Sequence, residues 1–141
     1  YEIKNEIYLK KLQIESRVLG DLALNHIIPT AINYQNTLIM NVKGLKDIFP
    51  QQYMDNCEIQ LKAITEISDR IKEIRTLVDD MTKSRKVANN TIPHIVERAT
   101  AYTQTVLPYL DRIRYHIDKL ELIVDDEIWP LPKYRELLFF K

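Results

Sequence analysis

Apolar positions recur at helical spacing along almost the whole chain. Ile64, Ile67, Ile71, Ile74, Val78 and Met81 step by alternating threes and fours, the period of a seam on one helix face. Leu61 and Leu77 widen that seam into a stripe broad enough to face a core. Val106, Leu110, Ile113, Ile117, Leu120 and Val124 repeat the pattern, with acidic and basic residues between them forming a solvated face. The first third is less regular. Ile3, Ile7, Leu12, Ile14, Val18, Leu22, Ile28, Ile32, Leu38, Ile39 and Val42 spread around more of the circumference, so this helix is expected to contact two surfaces. No sustained period-two alternation marks a strand.

Breaks between these segments set the architecture. Gly44 and Pro50 bracket the end of the first helix, and Asn89-Asn90-Thr91 before Ile92-Pro93 reads as a stop, then an N-cap with proline in the first turn. Asp125-Asp126-Glu127 closes the third segment, although acids there oppose the helix dipole. The spacing predicts helices over about 3–46, 51–88 and 92–125, the second about 55 Å long. Short connections make neighbours antiparallel, so the expected class is an all-α, up-down-up antiparallel three-helix bundle. Pro29 and Pro108 fall inside the first and third helices, where a proline loses one hydrogen bond and clashes with the preceding turn. Each is expected to kink or split its helix, and the two kinks to lie at similar heights.

The last thirteen residues differ from all this. Trp129-Pro130-Leu131-Pro132-Lys133-Tyr134 leads into Leu137-Leu138-Phe139-Phe140, a segment dense in aromatics and held extended by its prolines. The chain divides into a bundle over 1–128 and an extended aromatic strap over 129–141 that belongs to the same domain. The strap either folds back on its own bundle or docks on a neighbouring domain or subunit.

Composition narrows the function classes. The 141 residues carry 45% hydrophobic and 28% charged side chains, with 20 basic and 20 acidic residues for zero formal net charge. That suits one globular domain. It gives no electrostatic footprint for nucleic acid and no steering to an anionic membrane. The basic run Lys83-Ser84-Arg85-Lys86 reads as a solvated helix end rather than a phosphate site. Cys57 is the sole cysteine, which excludes an intrachain disulfide and fits a reducing cytoplasmic setting. The absence of an initiator Met, with a start in mid-pattern at Tyr1, is expected of a fragment of a longer protein.

Catalytic constellations are not found. His26, His94 and His116 are isolated in sequence; His94 and Glu97 lie one turn apart, but a di-metal bundle needs several such pairs. His26 is expected to bond a carbonyl freed at Pro29. Ser16, Ser68 and Ser84 lack an elbow motif and Cys57 has no nearby histidine. Two glycines cannot build a phosphate loop. Asp79-Asp80 reads as a solvated cap, and Tyr102, Tyr109 and Tyr115 as core edge or interface.

Four patches together resemble the C-terminal helical region of the type III glutamine synthetases, the large form of Bacteroides-like bacteria. They are Glu6-x-Tyr8-Leu9 with Ile14-Glu15; Ile28-Pro29-x-Ala31-x-x-Tyr34-Gln35; Val106-x-Pro108-x-Leu110-x-x-x-Arg114-x-x-x-Asp118-x-Leu120-Glu121; and Trp129-Pro130-x-Pro132-x-Tyr134-x-x-Leu137-Leu138-Phe139. The resemblance implies a parent enzyme that joins ammonia to glutamate through a γ-glutamyl phosphate, using ATP and magnesium or manganese, and that assembles as stacked rings. The catalytic, ATP-binding and metal-binding motifs of that family belong upstream, so no catalytic, cofactor or metal residue is transferred to this chain. The residues carried over are structural or interfacial: Pro29, Pro108, Trp129, Pro130, Pro132, Tyr134, Leu138 and Phe139. The implied partners are the upstream catalytic domain and neighbouring subunits of the oligomer. On this view Trp129→Ala weakens assembly more than it unfolds the bundle. The competing reading is a free-standing helical module that binds a partner helix in its groove. A third, a metal-dependent bundle enzyme, would require bound metal.

Overall fold

A computed structural model describes residues 2–131, with side chains from residue 4 onward. Among the described residues the structure is all helical, without strands. Helix α1 (Glu2–Leu22) passes through a π-helical segment (Ala23–Ile27) into α2 (Ile28–Ile48) with no non-helical residue between them. A short α3 (Tyr53–Asn56) precedes the long α4 (Glu58–Thr91). Helix α5 (Ile95–Ala101) then passes through a second π-helical segment (Tyr102–Val106) into α6 (Leu107–Glu121).

Both seams read from the spacing are the core. On α4, Ile67, Ile74, Leu77, Val78 and Met81 are buried, and on the last helical run Val106, Leu110, Ile113, Ile117 and Leu120 are buried, as is Val124 beyond it. At roughly 1.5–3 kcal/mol per fully buried large apolar side chain, these two rows supply much of the drive to pack. Buried Leu9, Leu12, Ala23, Ile27, Ile28 and Ala31 on the first helical run complete the cluster.

Of the two outcomes expected at the prolines, a kink or a split, the split does not occur. Neither proline breaks its helical run. Each is the second residue of a helix that follows a π turn: the Ile28 N–H bonds the carbonyl of Ala23 and the Leu107 N–H that of Tyr102, five residues back. Proline has no N–H to contribute and its ring crowds the carbonyl four residues back. One widened turn takes up that mismatch, and near the start of a helix the missing N–H costs least. Nor do the prolines lie at similar heights. The Thr103 hydroxyl donates to that of Tyr8 and Arg114 pairs with Glu15, so Pro108 lies beside the stretch between Tyr8 and Glu15. Pro29 is fourteen residues beyond Glu15, on the order of 20 Å further along the axis. Nor does the His26 ring bond a freed carbonyl; it is the carbonyl of His26 that is used, accepting from the Thr30 hydroxyl at 2.7 Å.

Helix ends also move. Helix α5 starts at Ile95 with His94 at its N-cap in an extended conformation, so Pro93 lies ahead of the helix rather than in its first turn. The Thr91 hydroxyl donates back to the Val87 carbonyl and extends α4 instead of capping the next helix. Helix α6 stops at Glu121, ahead of the acidic triplet. Asp125 organises a turn outside the helix: its carboxylate accepts from the Glu127 N–H and its carbonyl from the N–H groups of Ile128 and Trp129. The unfavourable meeting of acids with the helix dipole therefore does not arise.

Gly44 does not end its helix; it lies inside α2, exposed, and a Cβ built there meets nothing within 4 Å. Gly44→Ala is therefore expected to raise stability by about 0.5–1 kcal/mol through lower unfolded-state entropy, read as a higher midpoint in urea.

Candidate functional site

Of the residues singled out from the sequence, Pro29 and Pro108 are exposed residues at the two π-to-α junctions. Trp129 lies beyond the last helix and is 7% exposed within the main core cluster, with Leu131 packed half-buried beside it and Pro130 exposed. Trp129 and Leu131 are thus held by this chain itself. Pro132, Tyr134, Leu138 and Phe139 lie outside the described residues.

The three histidines stay apart. His94 is exposed at the start of α5 and Glu97 is exposed one turn later. Among the described residues no three His, Cys, Asp or Glu side chains converge as a metal site requires. Cys57 is buried at the start of α4. The hydroxyls are committed elsewhere: buried Ser16 donates to the Gln13 carbonyl, and Ser68 accepts from Gln35, whose amide nitrogen also reaches the Ile64 carbonyl. A Ser–His pair is not formed by any of them.

On α6, His116 meets Arg70 of α4. Arg70 Nη1 lies 3.0 Å from His116 Nδ1, Nη2 lies 3.3 Å from Glu66, and the guanidinium stacks 5.4 Å from the centre of the Tyr115 ring. A guanidinium can only donate, so Nδ1 accepts and the imidazole proton sits on Nε2. Leu61, Lys62, Thr65, Asp69 and Glu73 complete an open groove of about 570 Å³ around this pair. The Thr65 hydroxyl is turned back to the Leu61 carbonyl, which leaves the groove without a nucleophile bonded to its histidine. Sequence gave no hint of the pair, because 46 residues separate its members and each alone is an ordinary helix-face residue.

Burial holds His116 below its ordinary 6.5, Arg70 and Arg112 push the same way, and Glu73 opposes them. A depressed histidine value means that the unfolded chain takes up the proton first. Above 6.5 the ring is neutral in both states and costs nothing; as pH falls below 6.5, stability is lost until the lowered folded value is passed. His116→Gln is expected to flatten that segment of a plot of urea midpoint against pH. An unchanged slope would mean that other groups carry it.

The other distinctive surface is on α1. Ile7, Ile14 and Val18 share one face, at spacings of seven and four, and are 64%, 60% and 59% exposed. The irregular apolar pattern of this helix is accordingly split: Leu9 and Leu12 point into the core while this second row does not.

A family profile described as glutamine synthetase C-terminal domain matches residues 1–46, which span α1, the first π segment and most of α2. A glutamine synthetase of Bacteroides fragilis is 55% identical over 141 residues, a type-3 glutamine synthetase of Dictyostelium discoideum 29% over 143, and a glutamine synthetase of Butyrivibrio fibrisolvens 24% over 139. Each alignment covers 99% of this chain but 19% of the relative, so the chain spans about a fifth of their length. The likeness thus runs through both proline junctions and the Trp129 turn as well as the profiled helix, and what the chain resembles along its length is the C-terminal region of a type III glutamine synthetase.

Proposed function

We propose that this chain is the non-catalytic helical domain of a glutamate–ammonia ligase, an ATP- and divalent-metal-dependent enzyme of the cytoplasm, and that its role is structural, in assembly. The carrying observation is the 55% identity to a glutamine synthetase along the entire chain. The ATP, metal and substrate groups would be bound by the rest of that enzyme. The partners are its upstream catalytic domain and neighbouring subunits.

In this reading the chain forms an up-down-up bundle of three rods, 2–48, 58–91 and 95–121, bent at the two prolines, with the aromatic strap of 129–141 as a fourth element. Cross-rod bonds support it. Gln13 pairs with Asn89, Gln35 with Ile64 and Asn41 with Gln60, so numbers rise on the first rod as they fall on the second. Tyr8–Thr103 and Glu15–Arg114 rise together on the first and third. The row of Ile7, Ile14 and Val18 supports the assembly role: it is an apolar stripe on a helix whose opposite face already fills the core. The likeness along the full length leaves the free-standing module without comparable support.

The test removes the domain from the parent. Truncation before Tyr1 is expected to lower the molar mass measured by light scattering and to lower glutamine formation with it. Persistence of both mass and activity would overturn the assembly role.

A further inference from the structure

Between α1 and α4 lies a second cleft, of about 390 Å³, lined by Lys10, Gln13, Ile14, Arg17, Arg85 and Asn89. Lys10, Gln13, Ile14 and Arg17 fall at i, i+3, i+4 and i+7 of α1, and Arg85 and Asn89 at i and i+4 of α4. One face of each helix therefore contributes. Three of the six lining residues are cations and none is an acid, in a chain whose basic and acidic residues balance at 20 each. Glu15, two residues before Arg17, is engaged by Lys11 and Arg114 and does not line the cleft. The flanking acids of α1 are Glu6 and Asp21, one turn outside Lys10 and Arg17 at either end. Neither borders the cleft, and Asp21 is engaged by Asn25.

Two details mark the cleft as unsatisfied. Arg85 Nε is buried with no hydrogen-bond partner, a costly state for a polar N–H group. Asn89 is held by its oxygen alone, which accepts from Gln13 Nε2 at 3.1 Å and from the Tyr102 hydroxyl at 2.8 Å. Its amide N–H groups remain to donate, and Gln13 is fixed by the same bond. Two guanidiniums, an ammonium and a pinned carboxamide on two rigid helices make a lining rich in donors and without a carboxylate, and such linings select oxyanions. The volume falls in the range of small-molecule sites.

We propose that this cleft binds a small, multiply charged oxyanion of the phosphate class, with Lys10, Arg17 and Arg85 neutralising it and Asn89 donating to it. The site lies on the bundle itself and stands independently of the assembly role.

Titration calorimetry of the 141-residue chain with pyrophosphate at low salt tests this. Saturable binding is expected, weakening steeply as salt is added because the contact is ionic. Lys10→Gln with Arg17→Gln removes two exposed cations without touching the core, and circular dichroism confirms that the fold is kept. That pair is expected to cut affinity at least about tenfold, the loss of roughly one charge-assisted contact, and Arg85→Gln to do the same. No saturable heat at millimolar pyrophosphate, or equal affinity in the Lys10/Arg17 variant, would overturn the site. So would a poly-glutamate peptide that binds as tightly as pyrophosphate, because it would make the cleft an acidic-peptide groove.

Discussion

Replacing Trp129 with alanine is expected to destabilise this domain by about 3–5 kcal/mol, the range for removing a large buried aromatic. The indole is 7% exposed, packs within the main core cluster, and is anchored by a backbone bond from its own N–H to the Asp125 carbonyl. Nothing between it and Glu121 is helical, so truncating it also frees the turn that Asp125 organises. Urea unfolding of the chain should show the loss directly, with a melting temperature lower by roughly 10 °C or more. The sequence alone suggested an anchor whose removal weakens assembly before it unfolds the bundle. A side chain in the chain's own core reverses that order: stability falls first, and any loss of assembly follows from it. A variant that unfolds like the wild type while its parent oligomer falls apart would restore the interface role.

Tyr102→Ala is expected to cost a comparable 3–5 kcal/mol, and Tyr102→Phe separates its two contributions. Tyr102 is among the largest fully buried side chains and opens the second π segment. Its hydroxyl donates to Asn89 on α4, the residue that Gln13 on α1 also reaches. One carboxamide thus ties three helical runs at a single level. The phenylalanine variant keeps the ring and removes the donor, and Asn89 keeps its bond from Gln13, so its loss is expected to be about 1 kcal/mol. Equal losses in the two variants, read from urea midpoints, would mean that the bond and not the ring's packing carries the effect. If the cleft beside Asn89 binds an oxyanion, the phenylalanine variant should also weaken pyrophosphate binding, since Asn89 is then held from one side only.

The family's marks were legible in the chain because they sit where backbone chemistry is unusual. Pro29, Pro108 and Trp129 would each be odd in a generic heptad. The seams on α4 and α6 were legible for another reason. Burial on one face of a helix imposes a period on the sequence, and every residue of the second seam, from Val106 to Val124, is buried. Periodicity was a weaker guide on α1, where Leu9 and Leu12 are buried and Ile7, Ile14 and Val18 are not. An apolar side chain reads the same whether it faces its own core or another surface.

What the residues determined by themselves was therefore local: helix almost throughout, the two core rows, the absence of a self-contained catalytic motif, and the likeness to one enzyme family. Tertiary structure decided what depends on partners far apart in the chain. Arg70 meets His116 across 46 residues and Gln13 meets Asn89 across 76; neither pair leaves a trace in local spacing. Lys10, Arg17 and Arg85 converge only because α1 and α4 lie side by side. The prolines belong to the same class. Their cost as isolated residues argued for a kink or a split, but a widened turn within an already packed helix is cheaper than ending it, and only the packed chain can choose between them.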